Sequence, residues 1–239
     1  AACASAPQAQ SEQAFAPALF VARDDDSVMY LYGTVHIRRP GGDWGAANAK
    51  AALAESQELW TEMDLGPQAQ AQAQALVLEL GLSSEPLSAR LTPEEYAALE
   101  ALAQQLGVPV RQLEPMKPWL AALTLSVLPM MQAGYDPNAG IDRAVDRAAP
   151  AHVRRRSFET AEQQIGFFAN LSEQAQMQFL REAINEAEQG AAALEALSIA
   201  WERGDLETLE RLVIEQFRAE APEAYEVIFT RRNRDWLET

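Results

Sequence analysis

The chain has 239 residues, of which 48% are apolar and 23% charged, close to globular averages, so neither wholesale disorder nor a fibrous repeat fits. Its 19 basic and 35 acidic side chains give a formal charge of −16, a field that repels phosphate backbones and anionic lipid and argues against nucleic acid as a partner. The longest apolar-rich tract, Trp119 to Met131, falls short of the roughly 20 apolar residues of a bilayer crossing, so no transmembrane segment is expected.

The opening run Ala1-Ala2-Cys3-Ala4-Ser5-Ala6 is made of small residues, the composition found where signal peptides are cleaved. Two alanines before the single cysteine resemble the end of a bacterial lipobox, so Cys3 is either a lipid anchor or an ordinary residue of an unstructured leader. Either way the expectation is an exported protein, periplasmic or lipid-anchored at the cell envelope. One cysteine excludes an internal disulfide and a CxxC site. Residues 1–14 carry no apolar period and read as a flexible tether, with one domain over 15–239.

Ala18–Arg23 and Val28–Val35 are rich in β-branched and aromatic residues around the polar cluster Asp24-Asp25-Asp26-Ser27, which predicts a hairpin. Helical spacing of alanines follows over Gly42–Ser56, and Glu58–Met63 alternates as a third strand would. A helix between two strands suggests a crossover connection, with the second and third strands as parallel neighbours. Residues 67–139 read as a helical insertion. Within it the Gln and Ala alternation of Gln68–Ala75 has a strand's period but helix-forming residues, and propensity favours helix. Thr92-Pro93-Glu94-Glu95 has the capping-box pattern and leads to a stop at Gly107. Pro118–Gln132 is apolar on most faces and predicts a buried helix. A short helix over Gly140–Ala149 and a strand over Val153–Phe158 come next. Beyond Thr160 four helices are expected: Ala161–Asn170, Ser172 to about Arg203, Asp205–Arg218 and Ala221–Trp236.

Only two histidines are present, His36 and His152, so a three-histidine metal site is impossible. His36 leaves the second strand inside Gly33-Thr34-Val35-His36, where Gly33 would let a backbone or ligand approach, and strand carboxyl ends are where α/β folds build sites. The alternative is a buried structural histidine. Glu62 ends the next strand and, with His36, would suit a divalent metal or a proton transfer, or else belong to a solvated acidic turn. Asp142 lies in the first turn of its helix, where capping alone would account for it. Glu159 ends the last strand. Arg231, Arg232 and Arg234 read as charges that compensate a helix dipole, in a segment that Asn233 and Trp236 make more distinctive.

Seven blocks occur in order: Tyr30 to His36, Glu58 to Asp64, Met116-Lys117-Pro118-Trp119, Gly140-Ile141-Asp142, Phe158 to Gln164, Ala200 to Asp205, and Arg232-Asn233-Arg234-Asp235-Trp236. The series resembles the TraB/GumN family, whose relatives include PrgY and the Tiki proteins. The resemblance implies a predominantly helical α/β fold similar to the erythromycin-esterase and ChaN-like group, with a small mixed sheet and a large helical insertion. It implies a metal-dependent hydrolase, peptidase-like, needing a divalent ion such as manganese or cobalt. The family's GxxH falls on Gly33 and His36, its strand-end acid on Glu62, its GxD on Gly140 and Asp142, its second acid on Glu159 and its Arg-Asn pair on Arg232 and Asn233. His36 and Glu62 are then metal ligands, Glu159 and Arg232 further catalytic groups, and Gly33, Asp142 and Asn233 binding residues. The family pattern continues into a second GxxH that this sequence lacks, which predicts a chain trimmed at both ends and an incomplete site. The substrate expected is a peptide or small molecule. The other reading is a non-catalytic peptide-binding or pheromone-interfering protein.

Overall fold

The computed structural model describes residues 15–187 and 190–239. The expectations for residues 1–14, a tether and an acylated Cys3, lie outside the described residues. The molecule is predominantly helical α/β with two small sheets. β1 (Leu19–Arg23) and β2 (Val28–Tyr32) form an antiparallel hairpin. Its turn is closed by Asp24, whose Oδ1 accepts from Ser27 N at 2.7 Å and Ser27 Oγ at 2.8 Å, an aspartate mimicking a backbone turn.

α1 (Ala47–Glu55) leads to β3 (Glu58–Met63), and β3 pairs in parallel with β4 (Arg154–Glu159), Glu58 opposite Arg154 and Met63 opposite Glu159. This corrects the expected crossover: among the described residues β2 and β3 share no sheet, and the parallel partner of β3 is a strand some ninety residues later. The basic run of β4 follows from the same pairing, because Glu58 takes Arg154 at 2.8 Å and Arg156 at 3.8 Å.

The intervening helices are α2 (Pro67–Gly81), α3 (Pro93–Gln105), α4 (Pro118–Gln132) and α5 (Ile141–Ala148). The glutamine and alanine alternation is helical, propensity overriding period. Thr92 caps α3 reciprocally: its Oγ1 accepts from Glu95 N at 3.2 Å while its own N–H donates to Glu95 Oε2 at 2.8 Å. Along α4, Trp119, Ala121, Ala122 and Leu125 are fully buried. This helix packs on α7 (Glu173–Glu186), where Leu180 and Ala183 complete a core with Leu87, Leu99, Leu102 and Leu113.

A second core gathers Val35, Leu53, Ile141, Val145, Val153 and Trp201, tying the end of the hairpin to α1, α5 and α8 (Gly190–Arg203). α6 (Ala161–Ala169) opens on a second capping box, Thr160 with Gln163. The single helix expected from Ser172 to Arg203 is two, α7 and α8, and the junction at 188–189 lies outside the described residues. The C-terminal helices run as α9 (Leu206–Leu209), α10 (Gln216–Glu220), α11 (Pro222–Tyr225) and α12 (Arg232–Leu237). Wide π turns at Glu210–Glu215 and Glu226–Arg231 interrupt them. No helix among the described residues is long and apolar enough to cross a membrane.

Candidate functional site

β2 ends at Tyr32, and the next four residues carry the chain to His36 under two clamps. Trp201 Nε1 donates to the Gly33 carbonyl at 2.7 Å, and Ile141 N, at the start of α5, donates to the Val35 carbonyl at 2.8 Å. The second clamp sets α5 directly against His36. Only glycine fits at 140, because a Cβ there would collide with the carbonyl oxygen of His36 and stand 2.6 Å from Asp142 Oδ1. At Gly33 a Cβ would meet no atom within 4 Å, so no protein backbone makes a close approach there, and the residue offers the carbonyl that Trp201 holds.

The imidazole lies between two carboxyl groups. Nδ1 is 3.5 Å from Asp142 Oδ2 and Nε2 is 3.5 Å from Glu62 Oε2, both longer than a well-formed N–H···O bond. The ring is reachable from solvent, its side chain 57% exposed. The Asp142 contact, then the Glu62 contact, raise its pKa from 6.5 to about 10 against the opposing effect of burial. Partial burial acts to raise the Glu62 carboxyl, but the His36 imidazolium and the Arg232 guanidinium prevail and hold it at about 2. His36 therefore carries a proton at neutral pH.

Arg232 comes from the far end of the chain, as the first residue of α12 beyond a π turn. Its Nη2 donates to Glu62 Oε2 at 2.7 Å and to Glu159 Oε2 at 2.8 Å, while Nε donates to Glu159 Oε1. Trp236 Nε1 also donates to Glu159 Oε1, at 2.8 Å, and the Trp236 ring lies beneath the guanidinium, 4.7 Å from its carbon. Burial alone would lower the Arg232 pKa; its bonds to Glu159 and Glu62 outweigh that and keep it charged. Nη1 has no hydrogen-bond partner among the described residues.

The structure thus brings His36, Glu62, Asp142, Glu159 and Arg232 into one cluster at the carboxyl ends of β3 and β4. Glu159, expected as a further catalytic group, has a side chain that is 4% exposed and oxygens taken by Arg232 and Trp236. Asn233 is exposed and adds no hydrogen bond to the cluster. Asp64 caps the turn into α2, its Oδ1 accepting from Gly66 N at 2.8 Å. Trp236 was not among the candidates; its place four residues after Arg232, hence on the same helical face, was the available signal.

The donors test whether a divalent metal fits. Imidazole nitrogen and carboxylate oxygen are suitable ligand types, and the second imidazole nitrogen rests on a carboxylate, as outer-shell partners of metal-ligating histidines do. Asp142 Oδ1 is buried without a hydrogen-bond partner, and Glu62 Oε1 makes no hydrogen bond among the described residues. No group of three or more His, Cys, Asp or Glu poised to hold a metal occurs among those residues. The fit is that of two ligands facing one another rather than of a closed shell.

In comparisons with known proteins, residues 18–239 match the TraB/PrgY/gumN family. Neither curated proteins nor solved structures give a match.

Proposed function

The chain belongs to the TraB/PrgY/gumN family, and from that premise we propose that it is a metal-assisted hydrolase, peptidase-like, working at the cluster around His36. The observation that carries the reading is His36 standing between Glu62 and Asp142 beside a guanidinium whose Nη1 has no hydrogen-bond partner among the described residues. Histidine and carboxylate flanked by a fixed cation is the equipment of acyl transfer by metal assistance. His36 Nε2 and Glu62 would hold the ion, manganese or cobalt in type. A divalent cation there supplies Lewis-acid polarisation of a substrate carbonyl and of an attacking water.

The chain's own residues do the rest. Asp142 accepts from Nδ1–H and fixes the ring plane, so that Nε2 faces Glu62. Glu159 positions Arg232 by binding Nε and Nη2 together, and the Trp236 indole locks the remaining freedom of that carboxylate. Arg232 Nη1 then offers its donors to negative charge that develops on the substrate, at no cost of reorganisation. With the ion absent, His36 Nε2 holds the proton that binding of a cation would displace.

The test is titration with cobalt(II) by calorimetry and visible absorption, paired with mass-spectrometric scoring of a peptide mixture. The parent chain is expected to bind cobalt at least tenfold more tightly than His36→Ala. It is expected to cleave peptides in a reaction that chelator abolishes and Glu62→Gln removes. Equal affinities would take His36 out of the metal shell. Saturable peptide binding that chelator leaves unchanged, with no cleavage, would replace the reading with a non-catalytic binding protein.

A further inference from the structure

Beside the His36 cluster is a cavity of about 310 Å³ walled by the loop from Arg38 to Trp44 and by the segment from Asp136 to Arg147. Its floor at Ala139 runs directly into Gly140 and Asp142. Two guanidiniums border it in a chain of net charge −16. Arg38 has a largely buried side chain whose Nη1 donates to the Asp43 carbonyl at 2.9 Å and whose Nη2 is ion-paired with Glu202 Oε1 at 3.7 Å. A left-handed Gly42 makes room for it, since a Cβ there would stand 2.6 Å from Arg38 Nη2.

Arg147 is exposed and makes one long bond, to the Asn138 carbonyl at 3.4 Å, and has no carboxylate within ion-pair distance among the described residues. A basic residue in the last turn of a helix ordinarily serves the exposed carbonyls. Here that task belongs to Arg155, which donates to the carbonyls of Asp146 at 3.1 Å and Ala149 at 2.8 Å. Arg147 is free of that duty and turned back over the cavity.

We propose that this cavity binds a small organic monocarboxylate, its charged end between Arg38 and Arg147 and its apolar body against Trp44, Ala139 and Ala144. The walls carry two guanidiniums and one carboxyl group, Asp136, whose Oδ1 accepts from Asn138 N at 2.7 Å. Arg38 is ion-paired with Glu202 outside the walls, so Arg147 is the guanidinium without a carboxylate partner among the described residues, and guanidiniums match planar carboxylates in shape. A phosphate dianion would face Asp136 with no third cation to offset it. The volume lies at the lower end of small-molecule sites and accommodates an acid the size of an acylated amino acid. This site is read from its own residues and stands whether or not the neighbouring cluster turns over substrate.

The experiment is nuclear magnetic resonance on the whole chain at constant ionic strength, following the Trp44 indole signal assigned by Trp44→Phe. The probes are N-acetylphenylalanine, its primary amide and inorganic phosphate. The acid is expected to give a saturable shift, the amide none, and phosphate a weaker one than the acid. Arg147→Gln, with unchanged melting, is expected to weaken the acid about tenfold, and Arg147→Lys by much less. The proposal is overturned if the acid gives no saturable shift, if the amide binds as well, if phosphate binds more tightly, or if Arg147→Gln retains the parent affinity.

Discussion

Arg232 Nη2 donates to Glu62 Oε2 at 2.7 Å across 170 positions of chain, so the last helix of the molecule holds the strand-end carboxylate that faces His36. The same guanidinium neutralises Glu159, which is buried, so its removal strands one carboxylate in the interior and loosens another. Breaking a buried pair from one side costs about 3–5 kcal/mol. Arg232→Gln is accordingly expected to lose about that much in urea denaturation, and Arg232→Lys less, because a lysine keeps the charge but not the paired geometry. A loss below about 1 kcal/mol in Arg232→Gln would mean that the carboxylates find other partners.

Stability should depend on pH at both ends of the scale. In chelator-treated protein, His36 has a folded pKa raised from 6.5 to about 10. Its contribution to stability is therefore complete below pH 6.5 and lost as pH rises through 10. Glu62 has a folded pKa lowered from 4.5 to about 2, so its contribution is complete above pH 4.5 and lost as pH falls towards 2. Denaturation midpoints of the parent and of His36→Gln should differ by a constant amount between pH 4.5 and 6.5, draw together as pH rises further, and converge above pH 10. A His36 ring-proton titration midpoint near 6.5 would contradict the geometry from which the shift follows.

What could be read in advance divides by the range of the interaction. The capping box at Thr92 and Glu95 is a contact between residues three apart, and the residues themselves specify it. β3 announces itself through the alternation of Glu58–Met63, but its partner does not, because strand pairing across some ninety residues leaves no local period. The Arg154 to Arg156 run stays exposed, and only the pairing with β3 shows that Glu58 holds Arg154 and Arg156. At the site, the position of Glu62 at a strand end was legible. His36 was expected directly after a strand reaching Val35, but β2 ends at Tyr32 and a loop of three residues carries the chain to it, and the means that joins the two was not legible. Instead of neighbouring strands, the Ile141 to Val35 hydrogen bond and the reach of Arg232 from the C-terminal helices bring the groups together. Nothing in a helix-end cation names the buried acid it will meet.

Gly140 is the joint between α5 and His36, and its replacement tests that joint directly. In Gly140→Ala the new methyl meets the His36 carbonyl oxygen, a backbone atom that cannot rotate away, and Asp142 Oδ1. Overpacking of this kind costs about 1–3 kcal/mol. Relief requires α5 to move off the strand exit, taking Asp142 from Nδ1. Thermal denaturation should show the loss, and in the folded variant the His36 titration should move back towards 6.5 as its larger stabilising contact is withdrawn. A stable variant with the parent titration would show that α5 does not set the histidine.

The helical core offers the opposite case, stability without site geometry. Leu125 is fully buried in the cluster built by α3, α4 and α7, whereas Val35, Ile141 and Trp201, which brace the His36 segment, belong to a different cluster. Leu125→Ala removes side-chain carbons that no neighbour replaces, and truncations of this kind cost about 2–5 kcal/mol, depending on how far the surroundings collapse. Because interiors are close-packed but residues without shared partners act nearly independently, the cost should stay within the helical layer. Measured well below its lowered melting temperature, Leu125→Ala should bind cobalt as the parent does and give the same His36 titration. A fall in cobalt affinity in the fully folded variant would show instead that the two cores act as one and that the helical layer holds the strand ends in register.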